Sequence, residues 1–417
     1  MSGTGRVGGV GRMGSFKPTL SWRRSVVVRY RMLPWWARVV AIFAAARVVT
    51  TVLILILASV QGANPWTGAH PAYFDYASIW DGNWYKIVAY SGYPAQLPIT
   101  AGGQVGENAW AFMPVYPFLV KLLMVLSGAP WTVLAVLVSV AAGLGAALVF
   151  YRLMNHVLGD SRTAMFAVVL FSVAPVSPLF QLAYAESLYT LLLVTALYLV
   201  VLRRYGWLFP VVFVMALTRP SGLAFGLFLG LHVLYRLWAR RRAPFPIGQV
   251  VIACALGLFS VAMGLVWPAL AGYVTGVPNA YLDTELAWRS AYIGYQELIP
   301  FAAWFQSGNW WLGTPGGSVI VALLILAFGV SLFLASVRRI GVDLRLWVAS
   351  YAIYLLAVFF PQSSTFRLLM PMFPLLGAVA IPKSRVYRVL VVIGCILAQW
   401  VWLLICWGVD GSDWTPP

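Results

Sequence analysis

The sequence predicts an all-α polytopic membrane protein, and three observations predict it. The 417 residues are 62% hydrophobic and 9% charged, with a mean hydropathy of +0.85. A soluble domain carries about a quarter charged residues, and its interior could not bury this much apolar surface. The apolar residues also fall in runs, and about 20 such residues cross a bilayer as a helix. Finally, Lys and Arg cluster in short segments between those runs, the pattern of positive-inside loops.

Taken in order, the candidate spans are 39–61, 131–151, 163–181, 184–202, 207–218, 221–238, 247–271, 317–337, 346–361, 366–381 and 386–407. That makes eleven helices, with a range of 9–13, because the pair around Arg219 and the segment 366–381 are short. With the amino terminus in the cytoplasm, the inner segments are 1–38, 152–162, 203–206, 239–246, 338–345 and 382–388. Together with Arg236 at a helix edge they hold 22 of the 28 Lys and Arg. Arg47 lies within the first helix, where it is expected to snorkel inward as a structural residue. Only Lys86, Lys121, Arg219, Arg289 and Arg367 remain for the outer side. The reversed topology would place nearly all the positive charge outside, so the amino terminus is expected inside.

The first apolar run is too long for a signal-peptide core and has no small-residue cleavage pattern, so it is expected to stay as a helix. The resulting organisation is a basic cytoplasmic arm (1–38), one transmembrane domain (39–407) and a short outer tail (408–417). Two long outer segments, 62–130 and 272–316, are rich in Trp, Tyr, Pro and Gly, which is not a disordered composition. They are expected to fold as a cap, with an interfacial helix over Phe112–Ser127 whose Lys121 breaks an apolar run.

The net charge of +17 invites a nucleic-acid partner, but its placement between apolar runs assigns it to the bilayer. There each basic residue near anionic head groups gains roughly 1 kcal/mol. Cys254, Cys395 and Cys406 sit in apolar runs without paired or metal-ligand spacing and read as packing residues. His70, His156 and His232 do not cluster and no Asp-x-Asp pair occurs. No metal and no cofactor are therefore expected.

Nine of the eleven acidic residues lie outside or at outer helix ends: Asp75, Asp81, Glu107, Glu186, Asp283, Glu285, Glu297, Asp410 and Asp413. The densest polar-aromatic cluster is Tyr73–Tyr93, where Asp81 stands between Trp80 and Gly82 and is followed by Trp84, Tyr85 and Lys86. A carboxylate partly desolvated among rings gains basicity, as a general base acting on a hydroxyl requires. An aromatic belt with an incidental acid is the other reading. In Glu107–Pro117, Asn108 can orient a sugar or phosphate. Glu186, near a helix amino end, is either a structural cap or a site residue. Arg219 and Arg367 are cations between apolar segments, which costs about 2.5–3.5 kcal/mol each at mid-membrane. They need partners: Glu186 or Asp81 in a structural reading, a phosphate in a functional one. Intramembrane ionisable residues default to function, which favours phosphate.

Five segments occur in order: WDGNWYKIVAYSGYP, ENAWAFMPVYPF, LAYAESLYTLL, LTRPSG and FRLLMPMFPLLG. This set resembles the GPI mannosyltransferase II family over roughly residues 73–376. Two departures are Met113, where the family has one of a pair of Phe, and Pro220–Ser221, where it has Ser–Asn. The resemblance implies a membrane-embedded, GT-C-type glycosyltransferase. It would take mannose from polyprenyl-phosphate mannose and invert the anomeric centre, usually without metal. The acceptor would be a glycolipid, glycan or protein hydroxyl. The reaction would occur on the non-cytoplasmic face, here of the plasma membrane. The family's catalytic Asp maps onto Asp81. Under that expectation Arg219 and Arg367 hold the donor phosphate with help from Lys86. Trp80, Trp84 and Tyr85 stack on sugars, while Glu107, Asn108, Tyr184 and Glu186 contact sugar or acceptor. The rival class is a transporter or flippase of a lipid-linked sugar, which would use the same arginines. The absence of an internal repeat and the gathering of polar residues on one face weigh against it. A third class is a non-catalytic assembly factor, for which Asp81 and both arginines would be dispensable.

Overall fold

In hydrocarbon every backbone polar group must find a partner within the chain, so long apolar runs become helices. In the computed structural model, which describes residues 29–30 and 32–408, that is what they form. Most of the expected amino-terminal arm lies outside the described residues, as do Asp410, Asp413 and the tail beyond Gly408. Helices of eight residues or more are numbered α1 Trp35–Val60, α2 Asp81–Ser91, α3 Val115–Ser127, α4 Trp131–Leu158, α5 Ser161–Val173, α6 Glu186–Val201 and α7 Leu208–Ala216. They continue as α8 Gly222–Trp238, α9 Ile247–Thr275, α10 Ala280–Ala287, α11 Ala303–Leu312, α12 Gly316–Ser331, α13 Val342–Val358 and α14 Arg385–Trp407. No strand occurs among the described residues; the only extended pairing is an isolated bridge between Ile99 and Val105.

Among the described residues, five helices are long and apolar enough to cross a membrane: α1, α4, α8 with its extension to Arg241, α9 and α14. Five more apolar helices are 10–17 residues long, among them α3, α5, α6 and α12. Two candidate spans are broken. The run 163–181 ends as a helix at Val173 and resumes as a 3-10 turn over Ser177–Gln181, with Pro175 in the break and Pro178 in the turn. The segment 366–381 is three short helical pieces, Thr365–Leu368, Met370–Met372 and Leu375–Val379. Pro371 and Pro374 interrupt it, since a proline removes an N–H and clashes with the preceding turn.

Arg47 does not snorkel. Its guanidinium is buried, lies over the adjoining rings of Phe43 and Phe180, and donates to the carbonyls of Ser177 and Ser172, both at 2.6 Å. It thereby satisfies carbonyls freed where α5 ends, a need every helix terminus has. Thr50 on the same helix donates to Gln399 of α14 at 2.9 Å, and Gln399 donates to Val173 at 2.8 Å.

Small residues let helix backbones approach where no water drives association. On α8 and α9, Ser260 donates to the Gly222 carbonyl at 2.8 Å. A Cβ on Gly264 would lie 2.8 Å from the Leu223 nitrogen, and one on Gly222 would lie 2.6 Å from the Gly264 nitrogen. Overpacking of this kind costs about 1–3 kcal/mol. Gly264→Ala should therefore lower the unfolding temperature of the detergent-solubilised protein. Gly394→Ala on α14, where a Cβ meets nothing within 4 Å, should not. Equal midpoints for the two variants would disprove the close crossing.

Candidate active site

The amino ends of α2 and α6 converge. The Gly82 position allows it, because even a Cβ there would lie 3.3 Å from the Ala183 Cβ. The Ala183 amide donates to the Ala77 carbonyl at 2.9 Å, and the Asp81 amide donates to the Tyr184 hydroxyl at 3.3 Å. Asp81 and Glu186 are thus the first residues of their helices, where the macrodipole favours a carboxylate. Just before Asp81, Trp80 has φ 59° and ψ −124°, a left-handed conformation that costs a non-glycine residue about 1–3 kcal/mol. Its indole N–H holds the strain by donating to the Cys406 carbonyl at 2.8 Å. The adjoining Tyr76 and Trp407 exchange bonds: Trp407 Nε1 donates to the Tyr76 carbonyl at 2.9 Å, and the Tyr76 hydroxyl donates to the Trp407 carbonyl. The end of α14 therefore clamps the entrance to α2.

Two arginines meet these carboxylates. Arg367, from the helical turn Thr365–Leu368, pairs through Nη1 with Asp81, and the same nitrogen lies 3.4 Å from Glu186 Oε1. Arg219, in the connection between α7 and α8, pairs with Glu186 Oε1 at 2.5 Å. The four side chains are 4–16% accessible, and their formal charges cancel. The Arg367 guanidinium lies over the Tyr184 ring at 5.4 Å. Burial raises the Asp81 carboxyl above the ordinary range, Arg367 opposes that shift, and the Glu186 charge reinforces it.

The structure does not bring every expected residue to this cluster. Lys86 is exposed. At five residues from Asp81 it is turned by about 140° around α2, away from the cluster. Trp80 is buried and committed to the clamp, so its ring offers no open sugar platform. Asn108 is a cap: its Oδ1 accepts from the Trp110 amide at 3.0 Å, and its Nδ2 donates to Thr284 at 2.8 Å and to Gly106 at 3.0 Å. Tyr85, by contrast, does stand at the cluster: it is buried, edge-on to Phe112 and Tyr116, and feels the charges of Arg219, Glu186, Asp81 and Arg367. Trp84 stacks on Phe112 at 5.5 Å and meets Trp288 edge-on at 5.6 Å. With the exposed Glu107, Trp84 also lines an open groove of about 400 Å³ with Tyr93, Pro94 and Gln96.

One residue joins the cluster that the sequence did not single out. Glu285 on α10 accepts a hydrogen bond from the Tyr281 hydroxyl one turn earlier and feels the charges of Arg219, Asp81 and Arg367. Its neighbour Thr284 is the partner of Asn108. Helix α10 is docked by Ala280 in a cluster with Trp110, Met113 and Trp267. The i, i+4 spacing of Tyr281 and Glu285 was the available signal. What α10 faces was not legible.

Burial raises the Glu285 carboxyl to about 7, the Tyr281 bond and Arg219 only partly opposing it. The folded protein therefore holds this proton more tightly than the unfolded chain. That stabilisation is present in full below the ordinary carboxylate range and is lost as pH rises through about 7. Thermal unfolding midpoints in detergent should fall from about pH 5 to about pH 8, and Glu285→Gln should flatten the decline. A slope that Glu285→Gln leaves unchanged would contradict the assignment.

No curated protein matches the sequence of this chain. Among solved structures, the Archaeoglobus fulgidus oligosaccharyltransferase in its apo form is 14% identical with a TM-score of 0.39, covering 91% of this chain and 56% of its own. The oligosaccharyltransferase AglB from the same organism, in complex with an inhibitory peptide and a dolichol-phosphate, is 12% identical with a TM-score of 0.45. That match covers 92% of this chain and 57% of AglB, so the chain spans little more than half the length of either structure. The profile of the family described as mannosyltransferase (PIG-V) matches residues 40–313, well over half of the chain and four of the five motif segments. The chain belongs to the mannosyltransferase (PIG-V) family.

Proposed function

We propose that the protein is an inverting mannosyltransferase that uses polyprenyl-phosphate mannose and a hydroxyl acceptor on the non-cytoplasmic face of the plasma membrane. The observation that carries this reading is the Asp81–Arg367–Glu186–Arg219 cluster: a raised carboxyl paired with a guanidinium suited to phosphate, in a chain of this family. The acceptor is a glycolipid, glycan or protein. Neither metal nor cofactor takes part.

The pairing itself suggests how proton transfer and phosphate departure are linked. The acceptor hydroxyl attacks C1 of the sugar, the C1–O(phosphate) bond breaks, and Asp81 takes the hydroxyl proton. Asp81 thereby goes from −1 to neutral while the departing lipid phosphate goes from −1 to −2. Arg367 can then exchange a carboxylate that has lost its charge for a phosphate that has gained one. The charge in this buried site is conserved throughout, which avoids the large cost of an unpaired ion. Arg219 stays with Glu186 and keeps the second carboxylate neutralised as the phosphate arrives. The groove beside Trp84 and Glu107 is the acceptor's approach, with an aromatic face for a sugar ring.

The topology belongs to the same proposal. The eleven-span arrangement with a cytoplasmic amino terminus puts α2, α3, α10 and α11 in an outer cap, and residues 39–407 form one transferase domain. In a cysteine-free background, a single cysteine from Lys86→Cys should react with a membrane-impermeant maleimide added to intact cells, and one from Arg204→Cys should not. The opposite labelling would invert the topology.

The activity test incubates purified protein with polyprenyl-phosphate mannose and a membrane glycolipid extract, and mass spectrometry looks for acceptors that gain one hexose. Asp81→Asn should lower turnover by about 10²–10⁴, the usual contribution of a placed base. Wild-type turnover in that variant would refute the base assignment. Donor binding without transfer to any acceptor would point instead to transport of the lipid-linked sugar.

A further inference from the structure

Beside the ion-pair cluster, three buried polar atoms have no hydrogen-bond partner: Glu186 Oε2, the Tyr189 hydroxyl and Arg367 Nε. Glu186 and Tyr189 are 3% and 2% accessible, and the Arg367 side chain is 10% accessible. Glu186 and Tyr189 stand three residues apart on the first turn of α6, and so share one face. Arg367 comes from a different element, the turn Thr365–Leu368. All three residues line one small crevice, with Thr190, Arg219 and Tyr351 among its other polar walls. Its volume is about 10 Å³, close to that of a single oxygen-sized probe.

Buried polar groups are nearly always satisfied, so three unmet atoms on residues that line one void point to a missing partner. The surrounding side chains do not supply it. Glu186 Oε1 is already taken by Arg219. Ser221, which comes within side-chain hydrogen-bonding reach of Tyr189, gives its proton to the Arg219 carbonyl at 3.2 Å instead. The Tyr351 hydroxyl donates to the Leu368 carbonyl at 2.8 Å.

The three atoms also specify the chemistry of what they lack. A carboxylate oxygen can only accept, a guanidinium Nε–H can only donate, and a phenol does either. A hydroxyl offers one proton and two lone pairs, matching a proton to Glu186 Oε2 and lone pairs to Arg367 Nε and Tyr189. A phosphate oxygen has no proton for Glu186, and an ammonium has no lone pair for Arg367. The shared chemistry is an –OH group, carried either by the sugar or by water.

We propose that this crevice is a specificity subsite that seats one hydroxyl of the transferred sugar, with Glu186, Tyr189 and Arg367 as its three partners. This rests on the glycosyl-transfer reading above. It assigns Tyr189 a role in choosing the sugar, separate from the proton transfer at Asp81. It also explains why Glu186 leaves one oxygen free while the other carries both arginine contacts. A site built around a substrate hydroxyl rejects the analogue that lacks it by as much as 10⁴–10⁵, because the site's own groups are then left unmet.

The test compares wild type with Tyr189→Phe on polyprenyl-phosphate mannose and its 2-, 3-, 4- and 6-deoxy analogues, using the same glycolipid extract. Wild type should discriminate against one analogue by at least about 10³-fold in kcat/KM. Tyr189→Phe should reduce that one ratio at least about tenfold and leave the others in place. The readout is a ratio between donors on one enzyme sample, so partial loss of folded protein cancels. If Tyr189→Phe keeps the wild-type ratios, or slows all donors equally, the crevice holds only water or is structural, and the subsite is overturned. Absence of transfer by wild type from every donor would instead overturn the glycosyl-transfer reading itself, and the subsite with it.

Discussion

One guanidinium nitrogen, Arg367 Nη1, stands between two carboxylates delivered by two helix amino ends. Without it, Asp81 and Glu186 would face each other in a buried space with Arg219 as the sole cation. Removing one member of a buried pair typically costs about 3–5 kcal/mol, because the partner is left uncompensated. Much of the surrounding architecture holds these charges in register. The α14 end clamps Trp80 and Tyr76, Gly82 lets α2 close on Ala183, and Ser139 of α4 donates to the Tyr184 carbonyl at 3.1 Å. Even the break of the 366–381 run serves this end, since a straight helix through Pro371 and Pro374 could not place Arg367 on a short turn.

The aromatic residues do a different job from the one their abundance suggests. Several indole N–H groups donate to backbone carbonyls: Trp80 to Cys406, Trp110 to Pro94, Trp267 to Trp110, Trp304 to Leu355, Trp347 to Pro371 and Trp407 to Tyr76. Irregular backbone leaves carbonyls that secondary structure cannot satisfy. A ring that is apolar on its faces and polar at one edge satisfies them without bringing in charge. Tyr93, Trp110 and Trp267 go further and pack their rings against one another at 4.7–5.2 Å, joining the segment 62–130 to α9. Trp84 keeps a share of its surface on an open groove; Trp80 is enclosed.

Glu285 shows how the segments 62–130 and 272–316 complete one electrostatic unit. The four-membered cluster is already balanced, so a fifth ionised group would carry uncompensated charge. Burial on α10 holds its proton to about 7, and Tyr281 beside it fixes its orientation. A carboxyl kept near neutrality next to a balanced ion-pair cluster is what such a cluster imposes on its neighbour.

That the chain is helical and apolar enough to cross a membrane was legible from the residues alone. Run length and charge density are local quantities that do not depend on what packs where. Equally legible was that Asp81, Glu186, Arg219 and Arg367 were the ionisable residues needing an account, because charge amid apolar sequence is costly wherever it lies. Only the tertiary structure decided who their partners are. Asp81 and Arg367 are separated by 286 residues, and Arg367 lies beyond the stretch that the family profile matches. Distance along the chain says nothing about which carboxylate a guanidinium will reach. The same limit explains Lys86, Trp80 and Asn108, whose neighbours in sequence suggested a site but whose side chains point elsewhere or are already satisfied. It explains Glu285 and Tyr189 as well. Each looks ordinary on its own helix, and each acquires meaning only from the charges and the void that other helices bring to it.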